Sequence, residues 1–221
     1  MDRKDYFGKL YPFQDEVLAA FNRADTGFYL TGGTAASRGY LQHRFSDDLD
    51  LFVNDDARFG LWADRLVEVV APSWRVDVLL RETRFLRFVI HGSSADLKVE
   101  LVNDVPSHVG EVRTHSVLGR LDSAENILAN KLTALADRQE PKDLADIWGF
   151  CTRMGLSIRS AIEGAHGKAA GLFPVDLARS LLSATPADHA LIRWIEAPPA
   201  EEFLDSLRRL GEDLLLLVDR E

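Results

Sequence analysis

Short apolar runs alternate with helical stretches over the first 120 residues. Phe13, Val17 and Phe21 recur at the spacing of one helix face, which predicts a helix over 13–21. Apolar runs bounded by polar or glycine residues are typical of strands, and they lie at 28–31, 48–53, 75–80, 85–90 and 96–102. Helical patterns fall at 34–42 and 59–70, and Gly92-Ser93-Ser94 predicts a hairpin turn. This half therefore combines strands with flanking helices.

From about Leu121 onward, the apolar positions keep helical spacing. The predicted helices lie near 123–138, 142–153, 158–167, 175–184, 187–196 and 200–218, and prolines separate most of them. We expect an α+β fold in which a small mixed sheet flanked by helices is followed by a C-terminal helical bundle. The expected domains are residues 1–120 and 121–221, packed together because no flexible linker composition lies at the junction.

Composition narrows the environment and the kind of site. No apolar run approaches the roughly 18 residues needed to span a bilayer, and the first residues are charged. A single cysteine in 221 residues excludes an internal disulfide and a cysteine-based zinc site. We expect a soluble cytoplasmic protein with no membrane partner. The net charge of −9 disfavours a strongly basic nucleic-acid surface, although arginines cluster locally over 75–87.

Two acidic residues open the second predicted strand. Asp48 and Asp50 should point to one side of it, because side chains alternate along a strand, and Leu49 should point into the core. Two carboxylates placed this way are expected to need a cation between them. Mg²⁺ (or Mn²⁺) prefers one or two carboxylates together with water and phosphate oxygens. Asp48 and Asp50 are therefore candidate metal ligands.

A glycine turn precedes this acidic pair. Gly32 and Gly33 lack a Cβ, so their backbone N–H groups can approach a phosphate closely. Thr34 or Ser37 can add a hydroxyl donor, and a helix that begins here would favour an anion at its N-terminus. A Gly-Gly pair alone is usually only a turn, and an Asp-x-Asp alone is usually a solvated strand end. Their order along the chain raises the odds of a triphosphate site.

Four segments in order resemble a known family. They are GGTAASRGYLQHRFSDDLDLF, LKVELV, NILANKLTAL and EPKDLADIW, within residues 31–148. The first resembles the DNA polymerase β-like nucleotidyltransferase superfamily, and the set resembles the AbiEii/AbiGii toxin family of nucleotidyltransferases. The resemblance implies a mixed nucleotidyltransferase sheet and transfer of a nucleoside monophosphate from an NTP to an acceptor hydroxyl, releasing pyrophosphate. It further implies a toxin–antitoxin or phage-defence role, a cognate antitoxin, and a tRNA end as a candidate acceptor.

The resemblance also suggests further site residues. A third carboxylate on a neighbouring strand completes the metal site in the superfamily, and Glu100 is the candidate here, with Lys98 on the same face as a nucleotide contact. The alternative for both is an ordinary exposed strand face. Lys131 interrupts an apolar helix stripe, and the resemblance implies that it neutralises phosphate or supports the catalytic carboxylates. The alternative is a lysine at the edge of that face whose ammonium reaches water.

The beginning of the next helix offers two more acids. The resemblance makes Asp143 or Asp146 a functional acid, without deciding which. Alternatively, Pro141 and the acids simply begin the helix, and Lys142 pairs with Asp146 on the surface.

Arg38, His43 and Arg44 precede the acidic pair. They are candidates to orient phosphate or to brace Asp48, and the alternative is capping of the helix end with a salt bridge to Asp47. His43 as a general base has no support from the sequence.

Two rival functions remain at this point. One is a small-molecule nucleotidyltransferase of the antibiotic-modifying kind, and the other is a nucleotide-binding module without catalysis. The presence of Asp48, Asp50 and Glu100 together argues against a module that has lost its chemistry.

Overall fold

The computed structural model describes residues 1–169 and 172–218. The chain forms two compact units, and each unit is built from three separate segments of the sequence. Unit 1 comprises Met1–Ala35, Ser46–Pro106 and Glu111–Asp122, and unit 2 comprises Ala36–Phe45, Ser107–Gly110 and the chain from Ser123 onward. The domain boundary at residue 120 stays a prediction, and so does the packing of one domain on the other.

Unit 1 is built on a seven-stranded sheet. Its strands are β1 Tyr29–Thr31, β2 Leu49–Asn54, β3 Arg75–Arg81, β4 Phe85–His91, β5 Asp96–Asp104, β6 Arg113–His115 and β7 Gly119–Leu121. Their order across the sheet is β3-β4-β5-β2-β1-β7-β6. The β2–β5 and β1–β7 pairs are parallel and the others are antiparallel, so the sheet is mixed as expected.

The helices of unit 1 flank this sheet. They are α1 Arg3–Asp5, α2 Tyr11–Arg23, the single turn α3 Gly32–Thr34 and α4 Phe59–Val70, and a π-helical segment, Tyr6–Leu10, joins the first two. Strands β2, β4 and β5 alternate strictly between buried and half-buried side chains. Leu49, Phe88 and Val99 are fully buried and belong to the apolar core. The opposite face of the same strands therefore carries the polar side chains.

The strands and turns of unit 1 largely match the prediction. The helix over 59–70 has the predicted bounds, and Gly92 lies in a hairpin turn between β4 and β5, where its N–H donates to the Ala95 carbonyl. The sequence did not predict β6 and β7. Strand β1 is equally short, but it lies in an apolar run, whereas Arg113–His115 and Gly119–Leu121 contain no apolar run that predicts a strand.

Unit 2 consists of helices. A π-helical segment, Ala35–Leu41, leads into it, followed by α5 Ala124–Arg138, α6 Pro141–Trp148, α7 Ile158–His166, α8 Pro174–Leu182, α9 Pro186–Leu191 and α10 Ala200–Val218, with a further π-helical segment at Gly149–Arg153. Helix α5 packs against α6, α7 and α8, and α8 packs against α10. The Ser123 hydroxyl accepts from the Asn126 N–H and caps α5. The α+β class and the C-terminal helical bundle are confirmed.

Among the described helices, none combines the length and the apolar composition that a membrane crossing requires.

Candidate active site

Acidic side chains gather on the polar face of the unit 1 sheet. Asp48 immediately precedes β2, and Asp50 lies within it, while Leu49 between them is fully buried. Asp50 is the direct neighbour of Glu100 on parallel β5 and of Thr31 on antiparallel β1. Period-two alternation therefore places Asp48, Asp50 and Glu100 on one face of the sheet, as predicted.

Gly32 lies directly against Asp50. Its φ of +65° is in the left-handed region, where a side chain is strained. A Cβ at this position would lie 2.1 Å from Asp50 Oδ2, closer than any van der Waals contact allows. Only glycine fits here, and the backbone of the turn lies directly against the Asp50 carboxylate.

The two hydroxyls predicted to hold phosphate lie inside the protein. Thr34 is fully buried in unit 1, and its hydroxyl donates to the Asp48 backbone carbonyl and lies 3.0 Å from the Ser46 hydroxyl. Ser37 is fully buried in unit 2, where its hydroxyl donates to the Arg44 carbonyl. Both side chains thus stabilise the local fold. Gly32 and Gly33 are half-buried, and their contact with phosphate stays a prediction.

A chain of alternating charges crosses the same face of the sheet. Lys98 Nζ lies 2.9 Å from Asp48 Oδ2 and 3.2 Å from Glu100 Oε1. Arg87, the β4 neighbour of Glu100, donates from Nε to the same Oε1 at 2.8 Å. Partial burial acts to lower the pKa of Lys98, but hydrogen bonding to Asp48 and the two carboxylate charges outweigh it and raise that pKa. Lys98 is therefore cationic and lies between two carboxylates.

Arg87 is a site residue that the sequence reasoning missed. Its partner Glu100 is 13 residues away along the chain, and only the β4–β5 register brings the two together. An alternating strand pattern identifies the face of Arg87 but not its neighbour across the strand.

The carboxylate oxygens on this face of the sheet are the ligands available to a divalent cation. Within residues 1–169 and 172–218, no three His, Cys, Asp or Glu side chains are grouped so as to hold a metal ion. Glu100 uses its Oε1 to accept from Arg87 and Lys98, and its role as a third metal ligand stays a prediction. Asp48 and Asp50 are both half-buried and supply hard oxygen ligands. One or two carboxylates are what Mg²⁺ needs, so these two residues fit it.

Unit 2 contains a second ionic cluster, formed by His43, Arg44, Lys131, Arg138, Asp143 and Asp146. Arg44 donates two hydrogen bonds of 2.7 Å each to Asp146, and His43 Nε2 lies 2.9 Å from Asp146 Oδ1. Lys131 Nζ lies 2.8 Å from Asp146 Oδ2 and 2.9 Å from Asp143 Oδ1. Arg138 adds a hydrogen bond of 3.0 Å to Asp143. Both aspartates are 0% exposed, so each buried charge is compensated within the cluster.

This cluster fixes the protonation of its members. Burial acts to raise the pKa of Asp146, but Arg44, Lys131 and the hydrogen bond from His43 bring that pKa well below its ordinary value. Burial lowers the pKa of His43, and this effect is larger than the opposing effect of Asp146, which raises that pKa. The imidazole is therefore neutral. Since a carboxylate only accepts hydrogen bonds, Nε2 carries the proton, and Nδ1 is buried without a partner among the described residues.

The observed ion pairs decide one predicted contact and leave another open. Arg44 pairs with Asp146 within unit 2, and bracing of Asp48 or a salt bridge to Asp47 stays a prediction. The predicted surface pair of Lys142 and Asp146 is wrong, since Asp146 is buried and Lys142 instead binds Glu140 at 2.7 Å.

The other predicted residues of unit 2 are half-buried or buried. His43 is fully buried against Asp146. Arg38 is half-buried in unit 2. Lys131 and both aspartates lie together as buried partners, and a direct contact of Lys131 with phosphate stays a prediction.

Comparison with known proteins gives a family and a fold. Residues 16–213 match the model of a family described as "Nucleotidyl transferase AbiEii toxin, Type IV TA system". The crystal structure of JHP933 from Helicobacter pylori is similar, with a TM-score of 0.63 and 20% identity over 96% of this chain and 94% of that one. So is a candidate nucleotidyltransferase from H. pylori, with the same TM-score and identity over 96% and 97%. None of the curated proteins matches the sequence.

Proposed function

Because the chain belongs to the AbiEii family of nucleotidyltransferase toxins, which act in type IV toxin–antitoxin systems, we propose its specific reaction. The enzyme transfers a nucleoside monophosphate from an NTP to a hydroxyl at a tRNA end, with Mg²⁺ held by Asp48 and Asp50, and releases pyrophosphate. The family implies the NTP substrate and an antitoxin partner. A tRNA end is the acceptor that the family resemblance suggests, and the cytoplasm is the corresponding location.

The contact between Gly32 and Asp50 is the observation that supports this proposal most strongly. It places half-buried glycine backbone next to a carboxylate, with no side chain between them. Backbone N–H groups of a glycine turn favour phosphate oxygens, whereas a carboxylate repels them unless a cation intervenes. A triphosphate and a divalent cation satisfy both groups together, and neither satisfies both alone.

The residues of unit 1 then have separate tasks. Asp48 and Asp50 hold the cation, Gly32 and Gly33 donate N–H groups to the triphosphate, and Lys98 supplies a positive charge on the same face. When bound, the metal stabilises the charge that develops on the attacking and leaving oxygens. Thr34 ties the turn to the Asp48 backbone and so keeps the phosphate-binding and metal-binding groups in register.

The ionic cluster of unit 2 has a supporting task in this proposal. Lys131 joins helix α5 to helix α6 through Asp143 and Asp146, and Arg44 joins the segment before Ser46 to helix α6. For Lys131 to neutralise phosphate charge, as the resemblance implies, it would have to leave both aspartates. The stability of the Asp146→Asn variant against urea separates the supporting role from a catalytic one.

Incubation with labelled NTPs, Mg²⁺ and total tRNA tests the proposal. Each of the four NTPs is supplied with an α-phosphate label, and the wild-type protein is compared with Asp48→Ala. Because Asp48 is half-buried at the beginning of a strand, this variant is expected to fold, which circular dichroism checks. The proposal predicts labelled tRNA with the wild type and none with Asp48→Ala.

The other outcomes separate the rival functions. Label on small hydroxyl compounds but not on tRNA would assign a small-molecule nucleotidyltransferase. Binding of NTP without transfer to either acceptor would make the chain a non-catalytic module. Labelled tRNA that persists with Asp48→Ala would contradict the assignment of the site.

A further inference from the structure

The ammonium group of Lys98 lies against Asp48, one of the two carboxylates proposed to hold the metal. It is 2.9 Å from Asp48 Oδ2 and 3.2 Å from Glu100 Oε1, so one positive charge is shared by two carboxylates. The proposed function gives Asp48 a second cation to bind. Both cations would share the Asp48 carboxylate, and Lys98 already occupies its Oδ2.

The two carboxylates that contact Lys98 differ in exposure and in their other partners. Glu100 is fixed across the strand by Arg87, whose Nε donates to Oε1 at 2.8 Å, and the Glu100 side chain is only 19% exposed. Asp48 precedes the strand, and its side chain is 37% exposed. Exposed ion pairs are weak, and partial burial with a second partner strengthens them. The contact with Asp48 is the shorter of the two, but Asp48 is the carboxylate that a cation from solvent reaches more readily.

We propose that Lys98 is a built-in competitor for the metal site, which neutralises Asp48 in the free protein and leaves it when a divalent cation binds. This inference rests on the proposed function. Glu100 acts as a positioning residue, because it holds the Lys98 ammonium on the same face of the sheet after Asp48 has been released. Lys98 is then available to the negative charge of the triphosphate. The metal site and the phosphate site are thereby linked through one side chain.

Three consequences follow from this exchange. The free protein binds a divalent cation weakly, since Lys98 must first be displaced. Removal of the Lys98 charge strengthens binding of the metal alone, because both the competing contact with Asp48 and the repulsion between two cations are lost. The same removal weakens binding of polyphosphate once metal is present. An ordinary surface lysine would produce neither effect.

Titration of Mn²⁺ in the absence of nucleotide tests the inference, with free Mn²⁺ followed by electron paramagnetic resonance. The wild-type protein is compared with Lys98→Met, Lys98→Arg and Lys9→Met. Lys9 is the matched control, because it is a half-exposed lysine of unit 1 paired with Asp5 at 2.6 Å. We expect Lys98→Met to bind Mn²⁺ about three- to tenfold more tightly, the range set by losing one or two partly exposed ion pairs. Lys98→Arg and Lys9→Met should resemble the wild type.

A second titration uses inorganic tripolyphosphate at saturating Mn²⁺. Lys98→Met should bind it about three- to tenfold more weakly than the wild type and Lys9→Met do, because one charge-assisted contact is lost. Equal or weaker Mn²⁺ binding by Lys98→Met would overturn the inference. So would unchanged tripolyphosphate binding.

A further variant, Asp48→Ala, separates failure of this inference from failure of the proposed function. Mn²⁺ binding that is lost in Asp48→Ala, but not strengthened in Lys98→Met, rejects only the role of Lys98. Mn²⁺ binding that is absent in the wild type and in Lys98→Met, or unchanged in Asp48→Ala, rejects the metal site itself. Thermal unfolding of each variant checks that the fold is retained.

Discussion

The α-carbon of Gly32 faces the carboxylate of Asp50, so closely that a Cβ there would lie 2.1 Å from Oδ2. Its φ of +65° adds a second reason for glycine at this position. Glycine is therefore required both by the backbone conformation and by the neighbouring acid. The turn and the acidic strand form one rigid arrangement, and disturbing either should disturb the other.

Gly32→Ala should lower both stability and activity. The left-handed backbone costs an alanine about 1–2 kcal/mol, and the new methyl group must also push Asp50 aside. The predicted result is a loss of at least that much in the free energy of unfolding, together with a loss of NTP-dependent label transfer. Urea denaturation and the transfer assay measure the two effects.

Gly60→Ala is the matched control for this substitution. Gly60 lies in helix α4, and no atom lies within 4 Å of a Cβ built there. Alanine favours a helix over glycine by up to about 1 kcal/mol, so this variant should be as stable as the wild type or more stable. If the two variants behave alike, the close contact with Asp50 is not the cause.

Asp146→Asn should be strongly destabilising. The change leaves Arg44 and Lys131 buried with one negative charge fewer between them. Removing one partner of a buried ion pair typically costs about 3–5 kcal/mol. Urea denaturation should therefore show a large fall in the midpoint.

Asp176→Asn provides the comparison for that result. Asp176 pairs with Arg179 on the surface of α8, and both side chains are more than half exposed. Its loss should change the stability by less than about 1 kcal/mol. A small effect of Asp146→Asn on stability, combined with complete loss of activity, would instead assign Asp146 a catalytic role.

His43→Gln should remove part of the pH dependence of stability. The folded protein keeps His43 neutral, because burial lowers its pKa, whereas the unfolded chain takes up a proton near pH 6.5. The contribution of His43 to stability is therefore complete above pH 6.5 and is lost as the pH falls through this value toward the folded pKa. The slope is at most about 1.4 kcal/mol per pH unit.

The difference between His43→Gln and the wild type isolates this effect. His91 is present in both proteins, and its raised pKa, due to hydrogen bonds with Asp96 and Asp77, contributes with the opposite sign. Asp143 and Asp146 have lowered pKa values and titrate in the acid range, outside this window. Urea denaturation from pH 8 to pH 5.5 should show that the free energy of unfolding rises less with pH in His43→Gln than in the wild type. Parallel slopes would contradict the burial of a neutral imidazole.

Local pattern was sufficient to predict the acidic face of the sheet. Alternation along β2 and β5 placed Asp48 with Asp50 and Lys98 with Glu100, and the structure agrees. The same pattern predicted the burial of Leu49. These are properties of a single strand, and they do not depend on which strands are neighbours.

Contacts between distant segments could not be predicted in this way. The parallel register that pairs Asp50 with Glu100 is a property of the assembled sheet, and Arg44 and Asp146 are 102 residues apart. The sequence therefore suggested the local pair of Lys142 and Asp146. Tertiary packing overrides it, because Asp146 and its neighbours along α6 are buried.

Parallel reactions with an α-labelled and a γ-labelled NTP, in the presence of Mg²⁺ and total tRNA, test the central claim most directly. The account predicts that the α-label enters tRNA and that the γ-label is released as pyrophosphate. Both changes should disappear in Asp48→Ala and persist in the surface control Lys9→Met. Transfer of the γ-label, or α-label transfer that survives in Asp48→Ala, would contradict a nucleotidyltransferase site at Asp48 and Asp50.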